Sequence, residues 1–287
     1  MLDQAQSLRE LMQKKNSSTR VITITSGKGG VGKSSFAVNL AIALGRKGQR
    51  VLIVDVDLGL ANIDVMLGIT TQHDLSHVLT GEKDIRDIIV TSQQGIQFIS
   101  GGSGVYDLIK LQGAQFDVMV DSFLKLGDLA DIIIFDTGAG VSENILRLIG
   151  ASNETILITT PEPTAIMDAY ALVKTSNRLT NKPRLRLVVN KADNEKEAMA
   201  ALDGFIRVSK KYMDVDIDQL GYILRDDSMV KAVKMQAPVL VSFPKSVAAQ
   251  NIEQLTERYL AIPEHESQKF SFAIFLSRLM GKKVTGG

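Results

Sequence analysis

The chain of 287 residues contains no cysteine. This excludes disulfide bonds, thiolate metal sites and iron–sulfur clusters, and it fits a protein of a reducing cytoplasm. Histidine is scarce as well: only His73, His77 and His265 occur. His73 and His77 are four residues apart, which could place two metal ligands on one helix face. Surface histidines beside an ordinary helix start at Asp74 and Ser76 explain the same pattern.

An excess of charge of one sign is also missing. The chain has 33 Lys and Arg against 32 Asp and Glu, a formal net charge of +1. No global basic field therefore favours nucleic acid as a partner. No apolar run reaches the roughly 18 residues that a membrane-spanning helix needs, and the start of the chain does not have the pattern of a signal peptide. We expect a cytoplasmic globular protein.

Short apolar runs alternate with helical patterns along most of the chain. Several runs are apolar at consecutive positions, which is typical of central strands buried on both faces. The sequence therefore predicts a doubly wound, mostly parallel α/β sheet flanked by helices on both faces. The predicted strands are Val21–Thr25, Val51–Asp55, Ile96–Ser100, Asp131–Asp136, Thr155–Thr159, Leu185–Asn190 and Gln219–Leu224. The predicted helices are Lys33–Lys47, Gln115–Leu126, Ser142–Ile149, Pro163–Leu179, Lys196–Tyr212 and Val247–Leu260.

Three zones are predicted outside this core. Residues 1–20 form an N-terminal amphipathic helix with a flexible connector, followed by the α/β domain over residues 21–262. Residues 263–287 contain a polar hinge, Pro263–Gln268, and a last helix, Lys269–Lys283.

A phosphate-binding loop follows the first predicted strand and precedes a long predicted helix. Its glycines allow backbone N–H groups to surround phosphate oxygens, and the helix dipole adds positive potential. Lys33 is expected to reach the β- and γ-phosphates, and the Ser34 hydroxyl to bind Mg²⁺. The residues of this nucleotide site are Gly27, Lys28, Gly29, Gly30, Val31, Gly32, Lys33, Ser34 and Ser35.

A second lysine, Lys28, distinguishes this loop from an ordinary phosphate loop. Nothing in simple phosphate binding requires it, so it is either a solvated side chain or one that reaches a facing subunit. The stretch KGGVGKSS resembles the deviant Walker A box of the MinD/ParA group of ATPases. That resemblance implies an ATP-bound homodimer in which Lys28 contacts the nucleotide of the partner.

Two aspartates close the second strand, in the stretch Val54–Asp64. Asp55 and Asp57 are two residues apart and point the same way, so a cation is expected to offset their repulsion. The resemblance implies that Asp55 lies near Mg²⁺ and that Asp57 activates the attacking water. Asp57 is therefore the predicted catalytic residue, with Lys28 and Lys33.

A later apolar strand ends in Asp136 and is followed by Thr137 and Gly138. This looks like a Walker B element, in which Asp136 holds Mg²⁺ and the Gly138 N–H senses the γ-phosphate. The resemblance further implies that Asn190, followed by Lys191, contacts the adenine edge. The segment Gly221–Val239, with Pro238, is similar to the family's base-side segment, although Leu224 stands where the family usually has proline.

The last helix is strongly apolar and has basic ends. Ser271, Arg278 and Lys282 gather opposite the apolar side. Such a helix suits reversible contact with a membrane surface and is too short to span one; packing onto its own domain is the alternative. Both states could alternate, docked without ATP and released in the ATP dimer. The predicted membrane-contacting residues are Phe270, Phe272, Ile274, Phe275, Leu276, Leu279 and Met280.

The opening stretch DQAQSLR looks like the signature of the FlhG group of MinD relatives, also called FleN or YlxH. In that group the segment stimulates the GTPase FlhF, with flagellar switch-complex proteins or a flagellar transcription regulator as further partners. The implied contact residues are Asp3, Gln4, Ala5, Leu8 and Arg9; a frayed chain end is the alternative.

The sequence therefore predicts a slow, Mg²⁺-dependent ATPase that controls flagellar number and placement and binds the inner face of the membrane reversibly. Three alternatives stay open. They are a division-site MinD protein, a partner-binding scaffold with a vestigial ATPase, and a small-molecule phosphotransferase.

Overall fold

Eight strands form a single sheet in the computed structural model of the chain, which describes residues 19–57, 63–101, 122–261 and 272–280. The strand order is β3-β4-β2-β5-β1-β6-β7-β8, and all neighbours are parallel except the edge pair β3 and β4. The predicted fold class is thereby confirmed. The strands are β1 Arg20–Ser26, β2 Val51–Asp55, β3 Val90–Thr91, β4 Gln97–Ser100, β5 Ile132–Ala139, β6 Glu154–Thr159, β7 Arg184–Ala192 and β8 Ile217–Leu224.

The helices fall between the strands, largely where the sequence pattern places them. The predicted helix over residues 115–126 lies mostly outside the described residues; within the described part, residues 122–124 are helical and a short helix follows from Leu126. The hinge at residues 263–268 also lies outside them. The helices are α1 Lys33–Arg46, α2 Ile63–Leu67, α3 Leu75–Leu79, α4 Leu126–Leu129, α5 Glu143–Ala151, α6 Pro163–Ser176, α7 Glu195–Met213, α8 Asp227–Lys234, α9 Val239–Ser242, α10 Val247–Ala261 and α11 Phe272–Leu279.

Two apolar cores lie on opposite faces of the sheet. Alternate residues of a strand point to opposite faces, so Ile132 and Ile134 join the core under α1 and α10. Ile133 and Phe135 join the core on the other face, where α3, α5 and α11 pack. Farther along that face, α6 and α7 cover β6 and β7. The sheet is thus buried on both sides, as its continuous apolar strands predict.

The carboxyl ends of β1, β2 and β5 meet at one edge of the sheet because these strands are neighbours in the order β2-β5-β1. Asp55 at the end of β2 is the register partner of Asp136 in β5. The phosphate-loop motif follows directly from β1. This edge therefore brings together residues that are more than a hundred positions apart in the chain.

Candidate functional site

The phosphate-loop motif forms a turn between β1 and α1. Gly30 and Gly32 have φ of +76° and +91°, values that residues other than glycine rarely adopt. Gly32 is the N-cap of α1 and offers no side chain to the first helical N–H groups. These groups are consequently available to an anion, as the motif predicts.

Two glycines in the loop also allow close approach. A Cβ at Gly27 would overlap the main-chain carbonyl of Asp168 in α6, and one at Gly32 would overlap the Asn190 amide. The loop is therefore packed between α6 and the end of β7.

Lys33 lies in the floor of the loop and pairs with Asp136. The Lys33 Nζ donates to Asp136 Oδ1 at 2.9 Å, with Lys33 only 7% exposed and Asp136 fully buried. Burial raises the pKa of the Asp136 carboxyl, and the charge of Lys33 and a hydrogen bond from Ser34 oppose that rise. The second oxygen, Asp136 Oδ2, has no hydrogen-bond partner among the described residues.

Asp55 and Asp57 lie beside this pair. Asp55 is buried and accepts from the Asp57 N–H at 3.1 Å and the Ile63 N–H at 3.4 Å. Asp57 is half-buried and next to Gly138: a Cβ built there would be 3.4 Å from Asp57 Oδ1. The negative charge of Asp57 contributes to the raised pKa of Asp136. The three predicted acids are thus brought together.

The residues present fit a magnesium ion. A buried carboxylate oxygen without a partner, on Asp136, is the kind of ligand that Mg²⁺ takes, and Asp55 and the Ser34 hydroxyl belong to the same edge. The ion would keep several waters and phosphate oxygens, so a cage of three or more acidic or histidine side chains is not needed. No such cage occurs among the described residues.

Lys28 is held by its own chain. Its Nζ donates to Glu162 Oε2 at 3.0 Å and to Thr164 Oγ1 at 2.8 Å, at the start of α6. The lysine lowers the pKa of the exposed Glu162 carboxyl through this hydrogen bond and its charge. Sequence reasoning missed Glu162 and Thr164, and nothing in the motif points to them.

The base-side residues are engaged with the loop. Asn190 is buried; its Nδ2 donates to the Val31 carbonyl at 2.7 Å, and its Oδ1 accepts from the Lys191 N–H. Lys191 Nζ donates to the Gly30 carbonyl at 2.6 Å. In this conformation both side chains fasten the loop, so a contact between Asn190 and adenine stays a prediction.

The rest of the predicted base side borders the helix that follows the loop. Pro238 is the N-cap of α9 and lines a small cavity, whose wall also includes Ser35 and Met66. Ser35 Oγ lies 3.9 Å from the Met66 sulfur.

The C-terminal helix α11 is docked on its own domain. Phe272, Phe275, Leu276 and Leu279 are at most 2% exposed, and α11 contacts α5 and β1. Phe275 stacks on Phe135, the residue before Asp136, with ring centroids 4.8 Å apart. Of the two predicted states of this helix, docked and released, the structure therefore shows the docked one.

The buried face of α11 differs from the predicted apolar face. Ile274 and Met280 are half-exposed, and Ser277, on neither predicted side, is buried. Arg278, placed on the polar face, is only half-exposed, and burial lowers its pKa. Met280 still packs against this core, and burial of Ser277 was not predicted because the groove, and not the helix pattern alone, decides which side chains are covered. Phe270 lies outside the described residues.

The histidines do not share a helix face. His73 precedes α3, and His77 is inside it. Asp74 caps the helix: its Oδ1 accepts from the Ser76 N–H at 2.9 Å, and the Asp74 N–H donates to His77 Nδ1 at 3.3 Å, so the two residues form a capping box. The helix start at Asp74 is confirmed, and the suggestion of two ligands on one helix face was wrong.

The predicted partner segment, Asp3, Gln4, Ala5, Leu8 and Arg9, lies outside the described residues. Described structure begins at Thr19, which is buried and donates through Oγ1 to the Gly127 carbonyl at 2.7 Å. Strand β1 starts at Arg20, inside the zone predicted as connector. Among the described helices, none has the length and apolar character needed to cross a bilayer.

Comparison with known proteins identifies relatives over most of the chain. A family profile described as ParA, NUBPL iron-transfer P-loop NTPase, matches residues 17–260. The antiactivator FleN of Pseudomonas aeruginosa is 34% identical over 267 residues, 93% of this chain and 95% of that protein. The flagellum site-determining protein YlxH of Helicobacter pylori is 36% identical over 265 residues, 89% of each chain.

A solved structure has the same fold. The septum site-determining protein MinD from Pyrococcus horikoshii, complexed with Mg-ADP, has a TM-score of 0.67 at 26% identity, covering 84% of this chain and 96% of that one. The profile's description mentions iron transfer, but these 287 residues contain no cysteine to bind iron through sulfur.

Proposed function

Since the chain belongs to the ParA family of P-loop NTPases and, within it, to the FlhG group that includes FleN and YlxH, we propose that it is a MinD-like ATPase regulating flagellar number and placement. The observation that carries this proposal is the similarity to FleN and YlxH over about nine-tenths of each chain. The dense cluster of Lys33, Asp55, Asp57 and Asp136 supports an active nucleotide site.

The residues divide the work of ATP turnover by position. Lys33 and the loop N–H groups would bind the phosphates, and Asp136, Asp55 and Ser34 would hold Mg²⁺, whose charge would offset that of the phosphates. Asp57 orients and deprotonates the attacking water, with the Gly138 N–H beside it.

Replacing Asp57 tests this division. We expect Asp57→Ala to lose ATP turnover and to keep ATP binding, so that an ATP-bound dimer accumulates. Released phosphate and analytical ultracentrifugation with ATP measure the two properties. Asp64→Ala, a change in the neighbouring short helix α2, is the matched control. A wild-type protein without any turnover would instead favour the scaffold alternative.

Dimer formation is proposed to move Lys28. In the described conformation Glu162 and Thr164 hold its Nζ, so contact with a partner's nucleotide requires exchange of these two hydrogen bonds. Lys28→Ala should abolish the ATP-dependent dimer without changing the monomer fold, because the side chain is over a third exposed. Sedimentation with ATP and with ADP checks this.

Membrane contact is proposed to use the docked helix. The Phe275 ring stacks on Phe135, one residue from Asp136, so a change at Asp136 on ATP binding can be transmitted to α11. Release of α11 would expose its apolar side chains to lipid, and a dimer would present two helices, which increases avidity.

Liposome co-sedimentation with ADP and with ATP tests the switch. We expect the full chain to pellet with ATP and a chain ending near residue 265 to stay in the supernatant. Equal pelleting in both nucleotides would exclude a nucleotide-controlled release. The proposed location is accordingly cytoplasmic, with reversible association at the inner face of the membrane.

The N-terminal segment is proposed to stimulate the GTPase FlhF. Such stimulation would distinguish a protein of the FlhG group from a division-site MinD protein. The deletion should end at residue 18, because Thr19 and Arg20 make contacts of the fold. We expect this deletion and Arg9→Ala to abolish stimulation and to preserve ATPase activity, with Lys15→Ala as the control. If FlhF is indifferent to the deletion, the flagellar assignment fails and the MinD alternative gains.

A further inference from the structure

A cavity of about 610 Å³ lies at the end of the sheet opposite the phosphate loop. The aliphatic part of its lining consists of Ile42 in α1, Val51 at the start of β2, Ile96 before β4, Leu129 in α4 and Val241 in α9. The other lining residues are glycines or polar residues, among them Arg46 and Arg50. Its volume is within the roughly 300–1,000 Å³ range of pockets that bind sizeable ligands. None of these residues takes part in the nucleotide site.

The N-terminal end of the described chain lies close to this cavity. Thr19 Oγ1 donates to the carbonyls of Gly127 and Ala130, which flank the lining residue Leu129. The Arg20 N–H donates to the Asp131 carbonyl, and the Asp131 carboxylate accepts from Arg50, another lining residue. Two hydrogen bonds from Thr19 and one from Arg20 therefore hold the start of β1 beside residues that adjoin the cavity wall.

The length of chain before Thr19 is sufficient to reach the cavity. From β1 to β4 is three strand spacings, about 14 Å. The seven residues between Leu11 and Thr19, which make eight Cα–Cα steps, can extend to about 27 Å. Even with part of this stretch helical, Leu8 and Leu11 can reach the aliphatic lining.

The composition of that stretch matches the cavity. Leu2, Ala5, Leu8 and Leu11 recur at helical spacing, which predicts one apolar face. The polar residues of the segment supply hydrogen-bond donors. The cavity contains a buried acceptor, Gln94 Oε1, that has no partner among the described residues. An apolar helix with polar flanks would cover the lining and satisfy this oxygen.

We propose that residues 1–18 of this chain dock in this cavity through Leu8 and Leu11. Docking prevents Gln4 and Arg9 from contacting a partner protein. The segment therefore stays bound to its own domain until a partner competes for it. The docking itself does not depend on the identity of that partner. The regulatory consequence does rest on the proposed function.

The absence of native cysteine allows a direct test by cross-linking. Ser7→Cys is combined with Thr91→Cys, an exposed position lining the cavity, and the full chain is treated with a short bismaleimide. The control pair combines Ser7→Cys with Tyr212→Cys. Tyr212 is 70% exposed and lies near the end of α7, at the same end of the sheet on the side of β7 and β8. It therefore controls for tethered proximity alone.

We expect intramolecular cross-linking to Thr91→Cys to exceed the control by about tenfold, a docking preference of roughly 1.4 kcal/mol. Adding Val241→Asp, at an exposed lining position, should reduce it to the control level, as should Leu11→Asp. Val230→Asp, at an exposed position in α8 outside the cavity, should leave it unchanged.

Two results would overturn the proposal. Equal cross-linking of the two pairs would show that the segment does not dock, and a product of doubled mass would show that a second copy occupies the cavity. FlhF stimulation by a synthetic peptide of residues 1–18 is measured in parallel. If the peptide stimulates FlhF and the cross-link does not form, the docking proposal is wrong and the proposed function stands. If the cross-link forms and the peptide does not stimulate FlhF, docking stands and the proposed function of the segment is wrong.

Discussion

Buried ionic groups occur at both ends of the sheet, and the two groups differ in how fully their carboxylates are paired. At the carboxyl end, Lys33 and Asp136 form a pair with one carboxylate oxygen unpartnered. At the amino end, Glu154 lies 2.7 Å from both Arg20 Nη2 and Arg186 Nε, and the Tyr259 hydroxyl donates to it at 2.5 Å.

The amino-end cluster is closed at its carboxylate, although Arg186 Nε and Nη1 make no hydrogen bond with the described residues. Glu154 has a cation on each oxygen, and both guanidinium groups lie over the Tyr259 ring, at 4.6 and 4.8 Å from its centroid. It joins β1, β6, β7 and α10, four elements far apart in the chain. The carboxyl-end pair, by contrast, leaves a buried carboxylate oxygen that an ion, a ligand or water can satisfy. A carboxylate with a cation on each oxygen suits a support for the fold, and a carboxylate with an unpartnered oxygen suits a binding site.

The largest expected effect comes from breaking the closed cluster. Glu154→Gln should lower the free energy of unfolding by about 3–5 kcal/mol, because the buried guanidinium of Arg186 and the partly buried one of Arg20 lose their counter-charge. Urea unfolding measures the change, and Glu253→Gln, which removes a surface pair with Arg46, should cost less than about 1 kcal/mol. ATP affinity of the folded fraction should be unaltered. Equal losses in both variants would contradict the assignment of the cluster as a support.

The open pair should behave in the opposite way. Lys33→Met should weaken ATP binding by at least ~100-fold, about 2.7 kcal/mol, because the lysine is proposed to contact the phosphates. The free energy of unfolding without nucleotide should change by under about 2 kcal/mol, since Asp136, whose pKa burial raises, can take up a proton. Equilibrium binding of a fluorescent ATP analogue and urea unfolding measure the two effects, with Lys47→Met as the surface control. A stability loss as large as that of Glu154→Gln would remove the distinction between the two ends.

A smaller effect tests the aromatic part of the closed cluster. Tyr259→Phe keeps the ring under both guanidinium groups and removes only the hydroxyl, so the expected loss is about 2 kcal/mol. Tyr170→Phe is the matched control, because that hydroxyl makes only a long contact of 3.5 Å with the Gly204 carbonyl. Thermal unfolding compares the two. A neutral Tyr259→Phe would mean that the guanidinium groups alone hold Glu154.

The smallest effect is the pH dependence of the open pair. The folded-state pKa of Asp136 is raised above its unfolded value, so the folded state binds more protons between these values. Without nucleotide, its contribution to stability is therefore most favourable at low pH and declines as pH rises through that window, by at most about 1.4 kcal/mol per pH unit. The difference between wild type and Asp136→Asn in urea unfolding from acid to neutral pH isolates the group. A difference that is constant with pH would show that Asp136 does not titrate in that window.

The open site could be predicted from the sequence because its residues stand in short motifs at strand ends. The fold supplies the meeting point: β2, β5 and β1 are neighbours, so Asp55, Asp136 and the phosphate loop converge once the strands are recognised. Local spacing and parallel-sheet geometry contain this information. The edge strand β3, with two residues, has no periodicity to detect.

The closed cluster and the contacts of Lys28 could not be predicted in this way. Arg20, Glu154, Arg186 and Tyr259 come from separate elements, and each alone reads as an ordinary polar residue near a strand or helix end. Glu162 lies 134 positions from Lys28. Such pairs depend on the three-dimensional register of strands and helices, which no local pattern encodes.

The docking of α11 also has a consequence for the equilibrium of this helix between its own domain and a lipid bilayer. Four large apolar side chains, Phe272, Phe275, Leu276 and Leu279, are already removed from water, each worth about 1.5–3 kcal/mol. Transfer to a bilayer would exchange one apolar environment for another, so most of this free energy cancels. The balance between the two sites is then set by small differences, of a few kcal/mol, that a change beside Phe135 can supply. Docking is unimolecular and independent of concentration, whereas lipid binding grows with the available membrane area. The helix would thus respond to nucleotide and to membrane supply together.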